Sequence, residues 1–197
     1  MELTHGGSRA AVVANATDVY SPDDRTQAVA SEQRALAELG FRTEELDLRK
    51  LFDTDGIEDT IRSYDLVWVR GGDTWTLRYS MARSGADVAI RRLLADDDVV
   101  YGGYSAGSCV LGPTLEGIEG VDDPNWLKRL YGVDPIWEGL SVLDFCIVPH
   151  VNSPQHPESE ACDRLAEVYR ASGTPHQSLR DGDVLIVDGE TQRHWTA

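Results

Sequence analysis

The sequence predicts an α/β protein, a three-layer sandwich with a mostly parallel central sheet and helices on both faces. Two observations carry that expectation. Short β-branched runs alternate with helix-length stretches along the chain. Two of those runs end in glycine-rich turns, Gly71-Gly72 and Gly103-Tyr104-Ser105-Ala106-Gly107. No internal repeat, low-complexity segment or linker divides the 197 residues, so a single domain, 1–197, is expected.

The elements follow in order. Residues 10–14 form a first buried strand. Residues 25–39 form a helix with Ala28, Val29, Leu36 and Leu39 as its apolar positions. Gly40 stands just past its end, where a helix needs a residue free to take positive φ. Residues 41–48 alternate and read as a second strand, and 57–64 as a short helix. Leu66–Val69 is a third strand, ending at Gly71-Gly72. Two helical segments, 74–83 and 87–95, are broken at Gly85. Residues 99–104 form a fourth strand that runs straight into Ser105. The stretch 115–137 is rich in Gly, Asp and Pro and reads as an excursion with one helical turn near 126–130. A strand over 142–148 ends at Pro149-His150, and a helix covers 157–169. The strands 184–187 and 192–196 close the chain as a hairpin turning through Asp188-Gly189.

Composition narrows the function. Eighteen basic against 34 acidic residues give a net charge of −16, which argues against nucleic acid and against an anionic membrane surface as partners. No apolar run approaches the roughly 20 residues of a membrane span. Residues 1–10 lack the basic and apolar regions of a signal peptide. Cys109, Cys146 and Cys162 are odd in number and widely spaced, which points to a reduced, cytoplasmic setting.

The chemistry centres on Ser105. A Gly-x-Ser-x-Gly between a buried strand and a helix start holds its serine in a strained turn with the hydroxyl exposed at the sheet edge. The competing reading is an ordinary glycine turn. A serine nucleophile needs a base, and His150 follows a strand directly, on the edge where Ser105 stands. His156 and His176 are weaker rivals on loops. His5 lies near a chain end, and His194 in the last strand is expected to be structural. The base needs an acceptor. Asp181, Glu116, Glu119, Asp122 and Asp123 are all candidates, and Asp181-Gly182 reads equally as a plain turn. A Ser…His…acid order suits a class I glutaminase-like α/β sandwich. Gly71-Gly72 leaves an unobstructed N–H at the carboxyl end of the third strand. With the Ala106 N–H it would form an oxyanion hole, although Asp73 or Thr74 capping a helix explains the same residues.

Gly71-Gly72-Asp73-Thr74, Gly103-Tyr104-Ser105-Ala106-Gly107 and Pro149-His150, in this order and spacing, resemble the dipeptidase E and cyanophycinase family of serine peptidases. The likeness runs from about residue 9 to about 189. It implies a glutaminase-like fold, hydrolysis of short peptides, Ser105 as nucleophile, His150 as base, and Gly72 and Ala106 as oxyanion donors. Dipeptidase E carries its triad acid as a glutamate before a glycine, the position that Asp181 matches one methylene shorter. No metal or organic cofactor is implied. Family members begin with an extra strand, whereas only residues 1–8 precede the first strand here: either that edge strand is missing, and the bare edge would favour a homodimer, or the start of this sequence lies inside the gene.

The family's arginine for an acidic substrate has Ala161 at the matching spacing, with Arg164 one turn on, so aspartyl specificity is not expected. Isopeptides, other amides or esters, and a catalytically silent binding role on the same fold are the alternatives. Several other features read as structural. Asp96-Asp97-Asp98 is a solvated helix end. His150, His156, Glu158 and Glu160 lack metal-ligand spacing. Cys109 is a small buried residue. Trp126 and Trp137 either wall a pocket or pack the core.

Overall fold

The structure, a computed structural model, describes residues 4–196. Four strands, β1 (Arg9–Val13), β2 (Arg42–Glu45), β3 (Leu66–Val69) and β4 (Val100–Gly103), form a parallel sheet in the order β2-β1-β3-β4. The register pairs Val13 with Val69 and Val69 with Gly103, so β1, β3 and β4 end level. The chain leaves β1 to one side for β2 and returns across it to β3. That reversal of order is where an open parallel sheet presents a crevice at its carboxyl edge.

Alternation along the strands builds two apolar layers. Ala11, Val13, Val67 and Val69 pack against Ile61, Leu77, Met81, Ile90 and Leu93. Those residues come from α2 (Ile57–Arg62), α3 (Thr74–Ser84) and α4 (Ala86–Ala95). On the opposite face Ala10, Val12 and Leu66 meet Leu36 and Phe41. Leu36 belongs to α1 (Pro22–Glu38). Burying each of the large side chains contributes about 1.5–3 kcal/mol. The sheet therefore carries helices on both faces, as expected for the glutaminase-like sandwich. The β2 edge reads Arg-Thr-Glu-Glu, a charged sequence that discourages strand addition.

Beyond β4 come α5 (Ala106–Cys109), α6 (Asn125–Tyr131), β5 (Cys146–Val148), α7 (Ser159–Ser172), β6 (His176–Ser178), β7 (Val184–Asp188) and β8 (Thr191–Trp195). A further apolar cluster joins Trp75, Leu115, Leu127, Val148, Leu165 and Tyr169 under this half.

Several elements depart from expectation. Helix α1 begins three residues before position 25, at Pro22, because Ser21 caps it by accepting from the Asp24 N–H. The strand 41–48 stops at Glu45, since Asp47 caps a 3-10 turn at Leu48–Leu51. The strand 142–148 is confined to Cys146–Val148. Ahead of it, the N–H groups of Leu140, Ser141, Val142 and Leu143 are committed to carbonyls of Val110, Gly112 and Leu111. Helix 157–169 begins at Ser159 and runs to Ser172. Asp188 pairs with Thr191, so the hairpin turns at Gly189-Glu190, one residue later than expected. β6 is an unexpected strand, paired in parallel with β5.

Candidate active site

Ser105 stands between β4 and α5 with φ 50° and ψ −125°. A non-glycine residue in that region costs about 1–3 kcal/mol, and the glycines around it make the turn possible. A Cβ on Gly103 would lie 2.9 Å from the Gly107 carbonyl oxygen, and one on Gly107 2.3 Å from that of Val69. The Tyr101 hydroxyl donates to the Gly107 carbonyl at 2.6 Å, which pins the turn from below.

The Gly71-Gly72 turn comes directly against the serine. A Cβ on Gly71 would lie 2.7 Å from Ser105 Cβ. Gly72 has φ 143°, and a Cβ there would lie 2.5 Å from the Ala16 carbonyl oxygen. Asp73 caps α3 by accepting from the Thr76 N–H at 2.7 Å, so the capping reading of this turn also holds. Among the described residues neither the Gly72 nor the Ala106 N–H donates to a protein acceptor.

His150 follows β5 at φ 58°. Parallel pairing sets Val148 beside Ser178, and the ladder continues as Leu179 donates to Val148 and Val151 to Leu179. That register carries the end of β6 alongside His150. Asp181 Oδ1 lies 2.6 Å from His150 Nδ1. The Asp181 N–H donates to Ser153 Oγ at 2.9 Å, tying its turn to the histidine loop. His150 is largely buried, its side chain 11% exposed, whereas Asp181 is 49% exposed. His150 Nε2 is buried and has no hydrogen-bond partner. In this arrangement the Ser105 hydroxyl is therefore not bonded to it, a spacing common in ligand-free active sites.

Residues 3–195 match peptidase family S51. The chain belongs to that family. It is a peptidase of the serine type. The uncharacterized peptidase Lin0382 of Listeria innocua is 30% identical over 82% of this chain and 74% of its own. A Drosophila melanogaster protein provisionally assigned as an alpha-aspartyl dipeptidase is 27% identical over 87% of this chain and 68% of its own. The crystal structure of a candidate peptidase E protein from Listeria monocytogenes EGD-e shares the fold at TM-score 0.74. It is 22% identical, over 97% of this chain and 87% of that one.

In this S51 peptidase a small, tight pocket lies beside the serine. Thr74, Ser105, Ala106, Cys109, Asp122 and Glu158 line it, and Pro149 brings the histidine loop to its wall. Its lining includes two carboxylates and no cationic side chain. Asp122 Oδ2 accepts from the Thr74 N–H at 3.0 Å. Burial raises its pKa to about 6, and the nearby Asp73 and Glu158 charges add to that. Burial likewise pushes the Cys109 thiol well up, so Cys109 stays protonated and inert, as expected of a small core residue.

The rival sequence candidates fall elsewhere. Glu119 accepts from the Gly117 N–H in its own turn. Asp123 accepts from Asn125, lowering its pKa. Trp137 packs on Trp75 with ring centres 4.9 Å apart, and Trp126 is half exposed under Arg129, so neither lines the pocket. Arg164 is exposed on α7.

His156, a weaker rival as base in the sequence, lies directly against His150. Its ring stacks on His150 at 3.5 Å and 3°. Ligand-type atoms of His150, His156 and Glu158 lie within 4.8 Å of one another. The two imidazole planes are parallel, however, so their in-plane lone pairs do not converge on one ion. A larger, open depression around residues 53–59 and 82–85 has no histidine to pair with a serine.

Proposed function

We propose that this chain hydrolyses short peptides through Ser105, His150 and Asp181. The observation that carries the reading is the Asp181–His150 contact just past β5 and β6, with the preceding residue Pro149 on the wall of the pocket that Ser105 lines. Asp181 takes the Nδ1 proton's hydrogen bond and so leaves the Nε2 lone pair of His150 free to act as base. In the reacting complex the Ser105 hydroxyl must come within hydrogen-bond reach of Nε2. Ser105 Oγ then attacks the scissile carbonyl carbon as its proton passes to Nε2. The tetrahedral oxyanion receives the Gly72 and Ala106 N–H groups, each worth about 3 kcal/mol in the transition state. His150 returns the proton to the leaving amine, the C–N bond breaks, and an acyl-enzyme remains. Water, deprotonated by the same imidazole, releases the acid and restores Ser105.

The pocket argues for the kind of peptide. Asp122 and Glu158 without a cationic side chain repel an acidic first residue, and the net charge of −16 repels it at long range. The aspartyl preference named for the Drosophila relative is therefore not extended to this chain. Neutral or basic dipeptides and tripeptides fit better.

A mass-spectrometric screen of a mixed dipeptide and tripeptide pool, with Ser105→Ala alongside, tests the reading. Cleavage by wild type and none by the variant is the expected result. Equal cleavage by both, or none by the folded wild type, overturns it.

A further inference from the structure

We infer that His156 is a positioning residue for His150: its ring holds the plane of the base and receives the charge that the base acquires. The inference rests on the reading of His150 as the base. Several observations meet at this residue. The two imidazoles lie face to face, with centres 3.5 Å apart and planes within 3°. His156 Nδ1 accepts from the Glu158 N–H at 3.3 Å, which assigns the neutral Nε2–H tautomer. The His156 backbone is tied at both ends, donating to the Ser153 carbonyl at 2.8 Å and accepting from Ser159 at 3.1 Å. Ser153 is also the residue that accepts the Asp181 N–H. One compact loop thus holds the stacking ring and the carboxylate that orients the base.

The physical consequence follows from the two contacts of His150. Asp181 fixes one edge of the ring but leaves rotation about that hydrogen bond open. A parallel ring on the face removes it, keeping Nε2 on the buried edge where it has no other partner. When Nε2 takes the serine proton, the new cation lies over a neutral aromatic face, a favourable arrangement. The charged groups around the stack are Asp181 on His150, Glu158 beside His156, and Asp122 across the pocket.

Two substitutions separate the ring from its hydrogen bond. His156→Phe keeps a stacking face and loses the acceptor. His156→Asn keeps an acceptor for the Glu158 N–H and loses the ring. With a peptide cleaved by wild type, His156→Phe is expected to stay within about threefold of the wild-type kcat. His156→Asn is expected to lose about tenfold in kcat with KM within about twofold. Wild-type kcat in His156→Asn, an equal loss in both variants, or a loss confined to KM overturns the inference. If His156→Asn melts below the assay temperature, His156→Phe decides alone: retained kcat supports the stack and lost kcat refutes it. His150→Ala is run in parallel. Activity in that variant refutes the base itself, which keeps failure of the mechanism distinct from failure of the stack.

Discussion

Asp181 Oδ1 stands 2.6 Å from His150 Nδ1 although 31 residues separate them in the chain. The parallel pairing of β5 with β6 closes that gap, because Val148 and Ser178 are register partners, and His150 and Asp181 follow two and three positions later. On the proposed mechanism the carboxylate fixes the tautomer of the base. Asp181→Asn should therefore lower kcat by about 10⁴ with the fold intact. Steady-state kinetics beside a thermal melt check this. A variant that keeps a tenth of the wild-type kcat would assign the acid to another residue.

The Gly71–Ser105 approach gives a steric prediction. A Cβ at position 71 would stand 2.7 Å from Ser105 Cβ and 3.2 Å from its Oγ. Gly71→Ala must then push apart the serine and the loop that carries the Gly72 N–H. Misplacing an oxyanion donor costs about 10² to 10³ in kcat. The expected result is a loss of that size with KM little changed. Normal kcat in Gly71→Ala would show that the two turns do not act together.

How far the sequence could be read depended on whether local chemistry or tertiary pairing decided each element. β1, β3 and β4 were legible as apolar runs, the last two ending in turns that their own residues specify, at Gly71-Gly72 and Gly103, whereas the charged β2 was legible only from the alternation over 41–48. β6 was not. Its three residues, His-Gln-Ser, carry no strand pattern, and only pairing with β5 makes them one. The strand over 142–148 failed for the converse reason: Val142 and Leu143 are apolar, yet their N–H groups fold back onto Leu111. Ser105 and His150 stood out because motif and strand end mark them. His156 did not, because a stacking partner six residues on leaves no trace in composition or spacing.

Substrate charge offers a third test. Asp122 and Glu158 sit beside Ser105 with no cationic side chain among the lining residues. Peptides with a neutral or basic first residue should be cleaved at least about tenfold faster, in kcat/KM, than otherwise identical peptides beginning with Asp. Asp122→Asn should narrow that ratio, mainly through better handling of the acidic substrate. A wild-type preference for Asp would show that the pocket beside Ser105 does not receive the first side chain.

Stability against pH should move in opposite directions at two aspartates. Burial alone would raise Asp47, but hydrogen bonds from Arg49 and Asn15, with the charges of Arg49 and Arg25, hold it at about 2. The unfolded chain binds that proton more tightly, so Asp47 stabilises the fold above pH ~4 and loses its contribution as pH falls toward 2. Asp122, raised to about 6 first by burial and then by Asp73 and Glu158, behaves inversely. Here the folded chain binds the proton more tightly. Its contribution is full below pH ~4 and is lost as pH rises through 6. Asp47→Asn should therefore cost about 2 kcal/mol at pH 7 and little near pH 2. Asp122→Asn, which can still accept the Thr74 N–H, should gain about 1–3 kcal/mol at pH 7.5 and nothing at pH 4. For a chain of this size the gain corresponds to a rise in Tm of roughly 2–10 °C. Thermal melts of the two variants and wild type between pH 2 and 8 decide the matter. A pH-independent difference between Asp122→Asn and wild type would mean that the Asp122 carboxyl ionises in the folded chain at no cost, and that burial does not raise its pKa.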